Sequence, residues 1–329
     1  MKFLKKTSID FIGMKKYAFG LSVVLIIIGV VSIIVRGGLN LGIDFIGGTL
    51  TQMKIQPMPA IEEVRKTLIE NGLKDAQIQH FPKENEIIVR VKKGEVQLVE
   101  EIRLEILPQA SGETLVQAVT AQIATQTPRM GGVESKFYEM FSKKFPQTRI
   151  EVTRAEMVGP AVGKKLLNQA IKALFAGVIL IMVYIGWRFE FKYSAPAVLA
   201  LLHDTFITIG ILTLLNKEIT VTIVAAILTL IGYSINDTIV VYDRIREKKR
   251  LFAKDELAKV MNIAINETLS RTIITSITTG LVLLSIFFAG GEVLHNFAFT
   301  LLFGIIIGTY SSIFVASPLV YELEKGVRS

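Results

Sequence analysis

Six apolar runs, each near the length needed to cross a bilayer, dominate this sequence. A hydrocarbon core about 30 Å thick is crossed by roughly 20 residues of helix. Apolar runs of this length argue against an ordinary soluble enzyme and predict a polytopic α-helical membrane protein. The predicted spans one to six are Tyr17–Val35, Gln169–Trp187, Ser194–Leu215, Ile219–Tyr242, Leu269–Ala289 and Asn296–Val320.

The composition of the 329-residue chain narrows its class further. Hydrophobic residues make up 51% of it and charged residues 20%, which excludes an intrinsically disordered protein. Because there are no cysteines, disulfides, iron–sulfur clusters, thiolate zinc sites and cysteine nucleophiles are also excluded. The histidines form no cluster, so we expect no metal site, no cofactor and no enzymatic activity.

The distribution of basic residues predicts the orientation in the membrane. The formal net charge is +8, and lysines and arginines collect in the N-terminal tail and between spans four and five. The positive-inside rule therefore places both termini in the cytoplasm and the large loop outside. The positive charge also attracts membrane lipid, and no stacking aromatics interleave with it, so we expect no nucleic-acid partner. The predicted layout is a cytoplasmic tail 1–16, a first helix 17–35, an outer domain 36–166, a five-helix bundle 167–322 with a basic cytoplasmic loop 243–268, and a cytoplasmic tail 323–329.

The outer domain has the pattern of a ferredoxin-like β-α-β-β-α-β unit. Its predicted strands are Thr49–Ile55, Ile78–Phe81, Glu86–Val91 and Arg149–Val158, and its predicted helices are Ala60–Asn71 and Glu113–Phe145. This fold serves many functions and by itself identifies no activity. The domain contains no glycine-rich phosphate loop and no paired catalytic carboxylates in a motif. A protein-contacting domain therefore fits it better than an enzyme domain.

Ionisable residues inside the apolar runs are the candidates for function. Span three contains His203 and Asp204, span four contains Asp237, and span five opens with Arg271. A charge in hydrocarbon costs about 2.5 kcal/mol or more, so each should face a partner or water. We therefore expect these three consecutive spans to share one polar interior.

Asp237 and Arg271 form the predicted proton-coupling pair. Both should lie in the cytoplasmic half of the membrane, one near the end of span four and the other at the start of span five. If the carboxylate alternates between the guanidinium and a watery cavity, its proton affinity alternates too. One charge crossing the membrane potential releases about 2.3 kcal/mol per 100 mV, which is enough to bias a conformational equilibrium.

Other polar residues in the spans leave two interpretations open. Serines and threonines, Thr275 among them, are more often contacts between helices than functional groups. His203 and Asp204 form either a proton relay or a self-satisfied polar contact, and Asn236 next to Asp237 is a further minor candidate for proton coupling. Gly304 and Gly308 in span six form a small-xxx-small motif that predicts close helix packing.

The segment after span four is charged and then amphipathic. The charged residues 243–247 are either a plain stop at the membrane interface or a hinge. Apolar residues in Phe252–Ile265 recur at helical spacing, which predicts a helix lying along the inner membrane surface.

Several motifs together resemble the SecF branch of the SecD/SecF family, in the resistance-nodulation-division superfamily. The long run from Gly232 to Glu247 carries most of the specificity, and the similarity covers nearly the whole membrane part. The matching segments are Gly42–Gly48 (GIDFIGG), Val158–Gly163 (VGPAVG), His203-Asp204, Gly232–Glu247 (GYSINDTIVVYDRIRE), Thr268–Thr272 (TLSRT) and Ser311–Ala316 (SSIFVA).

The resemblance implies a protein of the bacterial plasma (inner) membrane that works in protein export. Members of this kind pair with SecD, act with YajC and the SecYEG channel, and use protons driven by the proton-motive force to help draw preprotein substrates across. The resemblance also implies that Asp237 and Arg271 are tied to this proton-coupled work. Six spans are half of the number expected for the SecD–SecF pair, so a partner is required.

Two other functions remain open on the residues alone. The chain could be half of a proton-coupled solute efflux transporter, which would need a substrate pocket. It could also be a passive assembly scaffold for the translocon, in which the polar interior is purely structural.

Overall fold

The structure, a computed structural model, describes residues 7–74, 76–81, 85–92, 132–189, 191–252 and 256–328. The part of the predicted helix Glu113–Phe145 that precedes residue 132 lies outside the described residues. The chain divides into two compact units. One is formed by Met1–Leu41 with Asn168–Ser329, and the other by Gly42–Leu167.

Six helices of the described chain are long and apolar enough to cross a membrane, which confirms the predicted fold class. Spans one to five are Lys15–Val35, Pro160–Arg188, Phe191–Leu214, Val221–Leu251 and Leu257–Ala289. Span six runs through Gly291–Ser311, a π-helical turn Ser312–Ala316 and a final helix Ser317–Arg328. Helices satisfy their own backbone hydrogen bonds, which is why apolar runs become helices in hydrocarbon.

Helices extend into both of the predicted cytoplasmic segments, the loop 243–268 and the tail 323–329. Span four continues to Leu251, span five already begins at Leu257, and span six continues to Arg328. The amphipathic segment is therefore not a separate surface helix but the first turns of span five. Ion pairs hold the extensions together, since Glu267 accepts from Arg244 at 2.6 Å and pairs with Lys248 at 2.8 Å.

The final helix is held to spans three and four through Glu324, which is only 5% exposed. Lys249 Nζ donates to both carboxylate oxygens at 2.6 Å, and the Tyr193 hydroxyl donates to Oε1 at 3.1 Å. Hydrogen bonds to a charged group contribute about 1.5–3 kcal/mol each, twice or more the value of an exposed ion pair. Glu324 is therefore the main polar anchor of this helix.

Replacing Glu324 with glutamine should lower the free energy of unfolding by about 2 kcal/mol, because Lys249 then loses its charged partner inside a buried contact. Thermal unfolding of the purified protein in lipid nanodiscs measures the change. The control is Glu322→Gln on the same helix, since that side chain is 47% exposed where it pairs with Lys15. Equal unfolding temperatures for the two variants would contradict the assignment.

The N-terminal segment is fastened to the start of span five. Asp10 Oδ1 accepts from the Gly13 amide at 2.8 Å and from Asn262 Nδ2 at 2.7 Å. These bonds favour the carboxylate and hold the pKa of Asp10 below its usual value. The charged carboxylate of Asp10 therefore stabilises the folded protein at neutral pH. This stabilisation is lost only as the pH falls through the lowered pKa.

The second unit contains the predicted β-α-β-β-α-β arrangement. Strands β1 Gly48–Gln56, β2 Gln77–Phe81, β3 Glu86–Lys92 and β4 Arg149–Val158 form one antiparallel sheet in the order β2-β3-β1-β4. The helices Ile61–Glu70 and Gly132–Lys144 follow β1 and β3 in the described chain. This is the strand order of a split βαβ unit, and it confirms the ferredoxin-like prediction.

The core of this unit lies between the sheet and its helices. Alternate strand residues point to the same face, so the inward residues of β1 and β3 meet the apolar stripe of each helix. Fully or almost fully buried residues of the core include Met53, Ile55, Val64, Leu68, Ile87, Val89 and Phe141.

Two of the glycine motifs noted in the sequence meet beside the sheet. Gly48 at the start of β1 pairs with Val158 at the end of β4. A Cβ on Gly163 would lie 2.7 Å from the carbonyl oxygen of Phe45, so only glycine permits this close backbone approach. Gly163 thus serves close packing within this unit.

Candidate proton-coupling site

Two of the buried carboxylates in the described helices, Asp204 and Asp237, lie at sequence-predicted positions. Asp204 in span three is 1% exposed and Asp237 in span four is 2% exposed. A carboxylate so far from water is stable only with hydrogen bonds, a counter-charge or a proton. The surroundings of the two groups differ, and that difference defines the site.

Asp204 is fully engaged in hydrogen bonds. The Ser234 hydroxyl donates to its Oδ2 at 2.6 Å, and Nδ1 of the adjacent His203 lies 2.9 Å from its Oδ1. The other ring nitrogen of His203, Nε2, lies 2.9 Å from the hydroxyl of Ser22 in span one. The predicted pair is therefore neither isolated nor self-satisfied, because it joins spans one, three and four.

The hydrogen-bonded chain continues from span one to span six. Ser22 Oγ lies 3.2 Å from the hydroxyl of Tyr310, and this hydroxyl donates to the backbone carbonyl of Ala18 at 2.7 Å. Neither Ser22 nor Tyr310 is among the residues predicted from the sequence. Ser22 is one of two serines in the apolar run Tyr17–Val35, which is the one signal that could have drawn attention to it.

Asp237 is the less satisfied of the two carboxylates. Its Oδ2 is buried and has no hydrogen-bond partner among the described residues. Thr309 of span six lies beside the carboxyl group, and the Thr309 hydroxyl is 2.7 Å from that of Ser276 in span five. Leaving a buried acceptor unpaired costs about 1–3 kcal/mol, more for a charge, so this oxygen is prepared to take up a proton or a new partner.

Arg271 does not form an ion pair with Asp237 within the described chain. Its side chain is exposed on span five, and its positive charge acts on the Asp237 carboxylate without contact. The ion pair between Asp237 and Arg271 therefore stays a prediction, and it would have to form in a different arrangement of spans four and five.

The minor candidates are not joined to this site in the described chain. Asn236 is exposed on span four. The Thr275 hydroxyl bonds within its own helix, to the carbonyls of Arg271 at 3.1 Å and Thr272 at 2.9 Å. This is the ordinary way in which a threonine satisfies its hydroxyl in a membrane helix.

The glycines of span six bring its polar residues close to span four. A Cβ on Gly304 would lie 2.5 Å from Leu230, and one on Gly308 would lie 3.0 Å from Ser234. Directly after Gly308 come Thr309 and Tyr310, and then the π-helical turn Ser312–Ala316. Such turns are frequent at functional sites, and here the turn lies within the walls of the polar interior.

Comparison with known families agrees with this architecture. A family model described as "Protein export membrane protein SecD/SecF, C-terminal" matches residues 138–326, and the "SecD/SecF GG Motif" matches residues 31–57. The chain belongs to the SecD/SecF family. The second SecD/SecF match includes Gly47 and Gly48, which precede and begin β1.

Relatives within the SecD/SecF family are similar over almost the whole chain. A protein translocase subunit SecF from Magnetococcus marinus is 42% identical over 99% of this chain and 95% of its own length. One from Calditerrivibrio nitroreducens is also 42% identical, over 97% of this chain and 95% of the relative.

Solved structures of this family show the same fold. The crystal structure of SecDF, a translocon-associated membrane protein from Thermus thermophilus, superposes with a TM-score of 0.77 at 32% identity over 97% of this chain. A structure of SecDF in a super-membrane-facing form gives a TM-score of 0.67 at 32% identity. This chain spans 39% and 40% of those two chains, so it corresponds to only part of each.

Proposed function

We propose that this chain is a proton-coupled subunit of the protein-export machinery. It pairs with a SecD subunit in the bacterial plasma membrane and uses the proton-motive force to help preproteins across. Both termini lie in the cytoplasm, and the ferredoxin-like unit lies outside. Membership of an export family and the six apolar helices support this proposal.

The observation that carries the proposal is the free Oδ2 of Asp237 in the interior of the bundle. A residue kept only for structural contact would not need to be ionisable, and leaving one of its buried carboxylate oxygens unpaired is costly. Asp237 instead lies between polar groups of spans four, five and six. Uptake of a proton neutralises the Asp237 side chain. Loss of the proton restores its negative charge, which is then stabilised by Arg271 or by water.

This alternation provides a physical link between protons and movement. The charged and neutral forms of Asp237 favour different arrangements of the neighbouring spans, because only the charged form needs a cationic partner. About 2.3 kcal/mol per charge and 100 mV is available to shift the balance between the two arrangements. A shift of that size changes an equilibrium constant by more than tenfold.

A partner of the SecD type is supported by two observations. The SecDF chain of the solved relative is more than twice as long as this chain, which covers 39% of it. Spans two and five of this chain also present many exposed apolar side chains, such as Phe175, Trp187, Leu281 and Phe288. YajC, the SecYEG channel and preproteins are the further partners that we propose from the family.

Export into membrane vesicles tests the function directly. Vesicles that contain SecYEG and SecD, with or without this chain, are given SecA, ATP and a preprotein, and a protonophore is added to half of the samples. We expect export to be stimulated by this chain only while the proton gradient persists. Stimulation that survives the protonophore would favour a passive scaffold, and no stimulation at all would favour a solute transporter.

A further inference from the structure

The hydrogen-bonded chain through His203 ends at a group that can only accept. The backbone carbonyl of Ala18 has no hydrogen to give, so the Tyr310 hydroxyl must donate across the 2.7 Å that separates them. A hydroxyl has one hydrogen, so this fixed end sets the direction of the two bonds that lead from Tyr310 through Ser22 to His203.

The hydrogens can be assigned one after another from that end. Because Tyr310 has given its hydrogen to Ala18, its oxygen accepts from Ser22 across 3.2 Å. Ser22 has then used its own hydrogen, so it accepts from His203 across 2.9 Å. His203 therefore carries a hydrogen on Nε2.

A second hydrogen must lie on the other side of the ring. Nδ1 of His203 and Oδ1 of Asp204 are 2.9 Å apart, a distance that requires a proton between them. Oδ2 of Asp204 is occupied as an acceptor from Ser234 at 2.6 Å. The shared proton makes either an imidazolium with a carboxylate or a neutral imidazole with a carboxylic acid, and the pair has no net charge in both cases.

We propose that the His203–Asp204 pair is a second proton-holding site, and that the contact between Ser22 and Tyr310 sets how many protons it holds. With that contact made, the pair needs hydrogens on Nε2 and between Nδ1 and Oδ1. If Tyr310 moves away, the Ser22 hydroxyl is free to turn and donate to Nε2. His203 then keeps a hydrogen on Nδ1 alone, and every bond is satisfied with one proton fewer.

The contact is well placed to respond to movement of the helices. Ser22 lies on span one and Tyr310 on span six. Their 3.2 Å hydrogen bond is the longest of those that link Ala18, Tyr310, Ser22, His203, Asp204 and Ser234. Tyr310 lies two residues before the π-helical turn at Ser312. Among the described titratable residues, Tyr310 reaches the pair through Ser22, and Asp237 follows Ser234 by about one turn of span four.

The role of this pair in export rests on the proposed function, but its proton count does not. A displacement of span six relative to span one would exchange the pair between its two proton counts. Protonation of Asp237 and of the pair would then be linked through span six, because Thr309 lies beside Asp237 and the next residue is Tyr310.

Nitrogen NMR of the full-length protein in lipid bilayers, with ¹⁵N-labelled histidine, tests the proton count. The chain has three histidines, so the signals of His203 are identified by their loss in His203→Gln. We expect Nε2 of His203 to be protonated at neutral pH. A bare Nε2 with a protonated Nδ1 would overturn the proposal.

Tyr310→Phe tests the control by span six. We expect the Nε2 hydrogen to be lost and the ¹⁵N signal to move to the position of a bare ring nitrogen. The matched control is Tyr321→Phe on the same span, whose ring lies under Lys15 Nζ at 4.3 Å and should leave the spectrum unchanged. Unchanged signals of His80 and His295 report that each variant is folded.

An unaltered His203 spectrum in Tyr310→Phe would refute the role of the contact. The NMR result is independent of export. A protonated Nε2 in a protein without proton-dependent stimulation would refute the proposed function alone.

Discussion

Asp237→Asn should abolish the proton-gradient-dependent part of preprotein export, with protein level and complex formation unchanged. Asparagine has nearly the shape of aspartate and fits the same place beside Thr309, but it cannot gain or lose a proton. The asparagine side chain is permanently neutral, so it needs a cationic partner in neither arrangement of the spans. The proton gradient can then no longer shift the balance between the two arrangements through this residue. Export by vesicles that contain the variant should fall to the level of vesicles without the subunit.

The matched control is Asp243→Asn, six residues further along the same helix. Asp243 is 43% exposed and pairs with Arg188 at 3.3 Å, so its neutralisation removes a surface ion pair worth at most about 1 kcal/mol. We expect normal proton-dependent export from it. Normal export from Asp237→Asn would refute proton coupling at this residue, and failure through lost assembly would show that its role is structural.

Gly210→Leu should destabilise the protein by about 3 kcal/mol, near the upper end of the range for overpacking. Spans one and three cross at Gly29 and Gly210, where a Cβ on Gly210 would lie 2.7 Å from the backbone Cα of Gly29. Backbone atoms cannot rotate aside as a side chain does, so the two helices must separate. The separation should also draw Ser22 away from His203, because these residues join the same two spans.

Thermal unfolding in nanodiscs and the amount of protein in the membrane measure this effect. The control is Gly20→Leu in span one, where an added Cβ would meet no atom within 4 Å. The control should unfold at the temperature of the unchanged protein. If both variants unfold alike, the close crossing of spans one and three is not present in the membrane.

The spans could be predicted because hydrocarbon permits few structures. In hydrocarbon there is no water to hydrogen-bond the backbone N–H and C=O groups, so these groups must hydrogen-bond to each other. A long apolar run therefore has almost no alternative to a helix. The helix of span four ends later, and the helix of span five begins earlier, than the apolar runs predict. Charged residues continue both helices beyond those runs. Arg244 and Glu267 stabilise those turns by contact between helices, and such contacts leave no periodic pattern in the sequence.

The site was predictable where a residue is unusual for its surroundings. Asp204 and Asp237 stand out because a carboxylate in an apolar run is costly and therefore rare. Serine, threonine and tyrosine are common in membrane helices. The role of Ser22, Thr309 and Tyr310 depends on which polar groups of neighbouring spans lie within hydrogen-bonding distance. Arg271 was predicted from its charge, from its place at the start of span five and from the family resemblance, and its pairing with Asp237 stays a prediction.

The sequence by itself determined that the chain has six helices long and apolar enough to cross a membrane, that it carries a ferredoxin-like unit, and that carboxylates are buried in its bundle. These properties follow from the periodicity and the cost of burial of single residues, which are local. Only the tertiary structure decided that Asp204 is satisfied while an oxygen of Asp237 is free, and that a hydrogen-bonded chain joins span one to span six. Hydrogen bonding depends on differences of a few tenths of an ångström in the distance between residues up to 292 positions apart, and only the packed helices define those distances.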